Sequence, residues 1–172
     1  MSKVLKGIKP LDYVLNEFLE EFGLKAHLDT GFYYYNDDTI GYSLFVDERL
    51  NTWYLEYVKE LAPDIECDVL LASILHEVGH HECDYLLSIE EDNYCEDRKA
   101  EIANEIDGGN IDQMRERELN REYFSLPDEY EATMWAVEYM RNNIDKVAKW
   151  WKKVQEAVMR VYILNGVELS GC

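Results

Sequence analysis

The chain has 172 residues, 47% of them hydrophobic, and a formal net charge of -19 at pH 7. That length and apolar content suit one folded domain with a sizeable core and exclude a disordered chain. The charge opposes binding to nucleic-acid phosphates and to anionic membranes, and favours basic partners or substrates only weakly.

The first nine residues lack the apolar core of a signal peptide, and no apolar run approaches a membrane span. Cys67, Cys83, Cys95 and Cys172 form no CxxC pair and read as free thiols. These features predict a cytoplasmic protein, organised as a single domain over 1–172 with its core at about 11–140.

Leu11 to Leu24 predicts a first helix, with Leu11, Val14, Leu15, Phe18, Leu19 and Phe22 at helical spacing and Gly23 at its end. Gly31 to Tyr35 and Thr39 to Val46 are rich in strand formers. The turn signal Asn36-Asp37-Asp38 lies between them, so a small antiparallel sheet built on a hairpin is expected. Asp47 to Leu61 predicts a helix broken by Pro63-Asp64. The next helix, capped by Asp64 or Asp68, runs to about Leu87. From Glu82 to Glu122 there are fourteen acidic and five basic residues, expected as two solvated helices separated by Gly108-Gly109. Pro127 is well placed to open another helix, with Asp128 and Glu129 at its positive end. A last amphipathic helix is expected at about 144–164. Residues 141–160 hold six basic residues against two acidic ones, a solvated face or a partner surface. The fold class expected is α+β, mostly helical.

The helix after Asp68 carries His76-Glu77-Val78-Gly79-His80 behind the apolar run Val69 to Leu75. Residues four apart on a helix lie about 40° apart around its axis and one turn apart along it. His76 and His80 can therefore close on one metal ion. Glu77 lies near enough to act on water without ligating, the pattern of a zinc hydrolase with Glu77 as general base.

Such a site needs a third protein ligand and an open position. His81 points about 100° away from His80. Asp84 lies about 12 Å along the helix from His76. Cys83 reads as a buried thiol and His27 as a surface residue. A carboxylate on another helix is the natural solution, and Glu96, Glu101, Glu105, Asp128, Glu129 and Glu131 qualify by type. The first turn after Pro127 is favoured, because its helix has an apolar face of Ala132, Trp135, Ala136, Tyr139 and Met140. Spacing does not separate Asp128, Glu129 and Glu131.

HEVGH, together with Glu129-Tyr130-Glu131-Ala132-Thr133-Met134-Trp135-Ala136, resembles the ImmA/IrrE family of small zincin metallopeptidases over roughly residues 40–140. The resemblance implies a zincin-like domain whose small sheet is packed by the motif helix. It implies zinc held by His76, His80 and Glu129, with Glu77 catalytic. Thr133 stands where the family has Asn or Asp. The longer gap from His80 to Glu129 keeps Glu101 as an alternative to Glu129 beside Glu131. Acidic surface and small size point to a specific protein or peptide substrate such as a regulator, and several small proteins of this type act in regulating mobile elements or stress responses. In that reading Thr39 to Val46 lies along the cleft as an exposed edge and pairs with substrate. Tyr123, Tyr130 and His81 are the candidate oxyanion donors. The alternative function is a zinc-stabilised interaction module that binds a regulator without cleaving it.

Overall fold

Gly23 and Pro127 mark two of the sharpest boundaries in the chain. Gly23 (φ 74°) stops the first helix, and Pro127 opens the sixth. The computed structural model describes residues 5–35, 37–44, 48–83 and 87–166. In chain order these form α1 (Ile8–Leu19), a 3-10 turn (Glu20–Phe22), β1 (Lys25–Leu28), β2 (Tyr33–Tyr35) and β3 (Thr39–Tyr42), followed by six helices. These are α2 (Glu48–Leu61), α3 (Val69–Cys83), α4 (Ile89–Asp107), α5 (Gln113–Phe124), α6 (Pro127–Asn142) and α7 (Ile144–Asn165). The structure is 72% helical with one small sheet, the mostly helical α+β class expected. Among the described residues no helix is long and apolar enough to cross a membrane. Asn36, Val46, Asp47, Asp84 and Cys172, all named above, lie outside them.

The chain divides into two compact units, one of residues 1–43 with 143–172 and one of residues 44–142. The stretch 11–140, expected as one core, is thus shared between them. In the first unit, α7 buries Val147, Trp150, Trp151, Val154 and Val161, and α1 buries Leu11, Leu15, Phe18 and Leu19. Phe18 and Trp150 stack at 3.9 Å, and the Trp150 indole N–H donates to the Val14 carbonyl at 3.1 Å. The basic face of α7 is partly answered within the unit. Lys146 pairs with Glu21, and Lys153 meets Glu17 at 3.0 Å. Exposed pairs of this kind contribute at most about 1 kcal/mol each.

The sheet of this unit corrects two expectations. It is mixed, in the order β1-β3-β2: β2 and β3 form the expected antiparallel hairpin, but β1 joins β3 in parallel. β3 is therefore the central strand, hydrogen-bonded on both sides, and offers no free edge to a substrate. The reason is Lys25–Leu28. Gly23 turns the chain straight out of α1, so that Lys25 N donates to the Asp38 carbonyl at 3.0 Å and Asp29 N to the Tyr42 carbonyl at 2.7 Å. Ala26, Ile40 and Tyr42 are buried, and the Tyr42 hydroxyl donates to Asp12 at 2.7 Å. The helix covering this sheet within the unit is α1, whereas α3 belongs to the second unit. His27 is half-exposed on β1, as expected of a surface residue.

In the second unit α3 packs chiefly against α6 and also against α2. The Asp68 carboxylate accepts from Leu71 N at 3.0 Å and caps α3, while Asp64 pairs with Arg141 at 2.8 Å. α3 is buried continuously from Leu71 to Gly79. α6 buries Ala132, Thr133, Ala136, Val137 and Met140, leaving Trp135 and Tyr139 half-buried and stacked on each other. α4 and α5 are the two charged helices, and Gly108-Gly109 lies between them as the sequence predicts. Ser88 closes a capping box on α4 with Glu91, and Asp112 caps α5. Arg117 and Arg121 of α5 tie it to Glu56 and Glu60 of α2 at 2.6 and 2.5 Å.

Candidate metal centre

Burial on α3 runs through the motif itself: His76 and Glu77 are each only 7% exposed. A side chain that polar is stable there only with partners. α6 supplies them. Glu129, in its first turn, is 4% exposed, and its Oε2 lies 3.0 Å from His76 Nε2 and 3.6 Å from His80 Nε2. The two Nε2 atoms are 3.1 Å apart. Two imidazole nitrogens at that distance need a proton or a cation between them to offset lone-pair repulsion.

These three residues form a buried group that could hold a metal ion. The donor set fits one. Ligand atoms about 2.1 Å from a tetrahedral ion lie about 3.4 Å from one another. The observed separations of 3.0, 3.1 and 3.6 Å bracket that value. Two imidazoles and one carboxylate also match a three-ligand site with an open fourth position.

The electrostatics agree with this arrangement. Burial pushes the Glu129 carboxyl up, but hydrogen bonds from His76 and His80 outweigh it and hold the group well below its usual range. Burial works against a charged His80, yet the Glu129 hydrogen bond and charge raise its pKa overall. Glu129 is thus held as a carboxylate against the two imidazoles.

Thr133 fixes the first histidine. Its Oγ1 lies 3.0 Å from His76 Nδ1, which leaves Nε2 facing Glu129 and His80. The Tyr54 hydroxyl of α2 is 3.5 Å from the same Oγ1, and its ring meets the His76 ring edge-on at 5.5 Å. Thr133 therefore orients the His76 ring. Thr133→Val keeps the shape and removes the partner, so affinity for zinc should fall about 10- to 100-fold. Thr133→Ser should retain it, and a chelator-competition titration measures both.

Placement separates the alternatives for the third ligand. Glu101 points to solvent, 66% exposed in an ion pair with Arg98 at 2.5 Å, and Glu131 is exposed on α6. Asp128 faces Lys99 rather than the histidines. Cys83 is half-buried, not buried, with its Sγ 4.0 Å from the Glu131 carbonyl, and lies outside the group. Among the three tyrosine and histidine candidates, Tyr123 is hydrogen-bonded to Glu129, and burial with the nearby Glu129 charge pushes its hydroxyl up. Tyr130 is exposed, and His81 lies 4.0 Å from Glu82.

Two residues escaped the sequence reading. Lys99 of α4 reaches Glu129 Oε1 at 2.7 Å and also pairs with Asp128. Its signal was its spacing: Cys95, Lys99 and Ile102 lie at i, i+4 and i+7, and Cys95 and Ile102 are the buried residues of α4. Gly79 is the other. A Cβ there would sit 2.4 Å from the Ala132 carbonyl oxygen and 2.8 Å from its Cα. A glycine inside a buried helix, at a cost of about 1 kcal/mol relative to alanine, was the available clue. Comparison of the chain with protein-family models, curated proteins and solved structures finds no match.

Proposed function

We propose that the chain is a zinc-dependent metallopeptidase of the gluzincin type, resembling the ImmA/IrrE family and directed at a specific protein such as a regulator. The observation that supports this reading is the convergence of His76, His80 and Glu129 beside a buried Glu77 on the same helix. Zinc held by those three residues supplies a Lewis acid and brings the pKa of water toward neutrality.

The chain's own residues carry the rest. His76 and His80 bind through Nε2, and Thr133 holds the His76 ring in place through Nδ1. Glu129 brings a full negative charge into the buried site. Glu77 takes a proton from the attacking water and passes it to the leaving amine. The Tyr123 hydroxyl, protonated beside Glu129, is the donor we favour for the developing oxyanion.

Purified protein should hold about one zinc per chain. Glu77→Gln should keep that zinc and abolish cleavage of the target, identified by comparing the proteomes of cells with wild-type and Glu77→Gln protein. One observation favours the non-catalytic module instead: β3, the strand expected to receive substrate, is paired on both sides. A biological readout that survives Glu77→Gln would decide for that module. A chain without zinc would dismiss both.

A further inference from the structure

α4 is a strongly charged helix whose one other cation, Arg98, points outward. Arg98 pairs with Glu101 at 2.5 Å and Glu122 at 2.7 Å on partly exposed side chains. Lys99 turns the other way. Its side chain is 19% exposed and its Nζ lies 2.7 Å from Glu129 Oε1. It also bonds Asp128 and sits 5.6 Å from the centre of the Tyr123 ring. The two oxygens of Glu129 thus have different partners: Oε1 faces Lys99, while Oε2 faces His76 and His80 at 3.0 and 3.6 Å.

We propose that Lys99 is a positioning residue that holds Oε1 of Glu129, so that Glu129 presents Oε2 alone to an ion shared with His76 and His80. This deepens the metal-centre reading and rests on it. A carboxylate ligand free to rotate can offer both oxygens and occupy the place that a three-ligand catalytic site keeps open. An ammonium beside a dication opposes the ion's binding by simple charge repulsion, so affinity does not explain a lysine here. Orientation does. The ammonium has three donors, and Asp128 takes one of them, which anchors the group that holds Glu129. Partners of ligating carboxylates act in this way generally.

Cobalt(II) provides the test, because its visible bands are intense in four-coordinate sites and weak when more ligands bind. The full chain and its Lys99→Met and Lys99→Arg variants are titrated with cobalt(II), with folding checked by circular dichroism. The wild-type protein should give intense four-coordinate bands. Lys99→Met should lose that intensity severalfold as the freed Oε1 joins the ion, and Lys99→Arg should restore most of it. A folded Lys99→Met protein that binds cobalt with the wild-type spectrum overturns the proposal. Should Lys99→Met not fold, the infrared difference spectrum of wild-type protein with and without zinc decides. Widely split carboxylate bands, from one bound oxygen, support the role of Lys99, and narrowly split bands, from two, overturn it. A wild-type chain that takes up neither metal overturns the metal centre itself, and this proposal with it.

Discussion

Glu129→Ala is expected to lower the affinity for zinc by about two orders of magnitude, while Glu101→Ala and Glu131→Ala leave it unchanged. Zinc held by four protein ligands binds with an apparent free energy of about 10–16 kcal/mol, so one ligand carries about 3 kcal/mol, or roughly a hundredfold. Among the described residues no other carboxylate converges on the two histidines. Glu101 and Glu131 are exposed, and neither belongs to the group whose ligand atoms converge. Loss of Glu129 also removes the negative charge facing His80 and Lys99 in the buried site. Breaking a buried ion pair from one side costs about 3–5 kcal/mol. Asp128 still meets Lys99, so the loss should fall at the low end of that range. Zinc retention after dialysis against a weak chelator measures the first effect, and urea unfolding of metal-free protein the second. Full retention in Glu129→Ala, with loss in Glu101→Ala, would reverse the assignment.

Gly79→Ala should destabilise the second unit and empty the site in one step. The added methyl group would lie 2.4 Å from the Ala132 carbonyl oxygen, a backbone atom with no rotamer to escape into. α3 and α6 must therefore separate. Overpacking costs about 1–3 kcal/mol, occasionally more, and alanine regains about 1 kcal/mol of helix propensity. Because the obstacle is backbone, the packing cost should reach or exceed the top of its range and leave a net loss of about 2 kcal/mol. The chemistry suffers as well. Ala132 and Glu129 lie one turn apart on α6, so a shift that relieves the clash moves Oε2 away from the two imidazoles. Thermal unfolding and zinc titration on the same sample should fall together. A Gly79→Ala protein with wild-type stability would overturn the close approach of α3 to α6 at Ala132.

Local chemistry is what the sequence by itself determined. The i, i+4 spacing of His76 and His80 follows from helix geometry alone and needs no partner helix. Pro127 and its acidic first turn placed α6, and Gly23 and Gly108-Gly109 marked where helices stop. The motif Glu, Glu77, was legible because its burial follows from the apolar turns before it. The carboxylate that meets the two histidines was legible only as a choice among several, which the resemblance narrowed to Glu129. Tertiary structure decided the rest, since each remaining fact depends on which surfaces meet. Whether Glu129, Glu131 or Glu101 reaches the histidines depends on how α3 and α6 pack. That packing is set by a missing Cβ at Gly79, which periodicity does not register. Lys99 reads as one more cation on a charged helix until α4 is laid against α6 and its ammonium finds a buried carboxylate. β3 was expected at an edge because the peptidase reading asks that strand to pair with substrate. Its true place in the middle of the sheet was fixed by β1, a four-residue segment too short to declare itself before it paired.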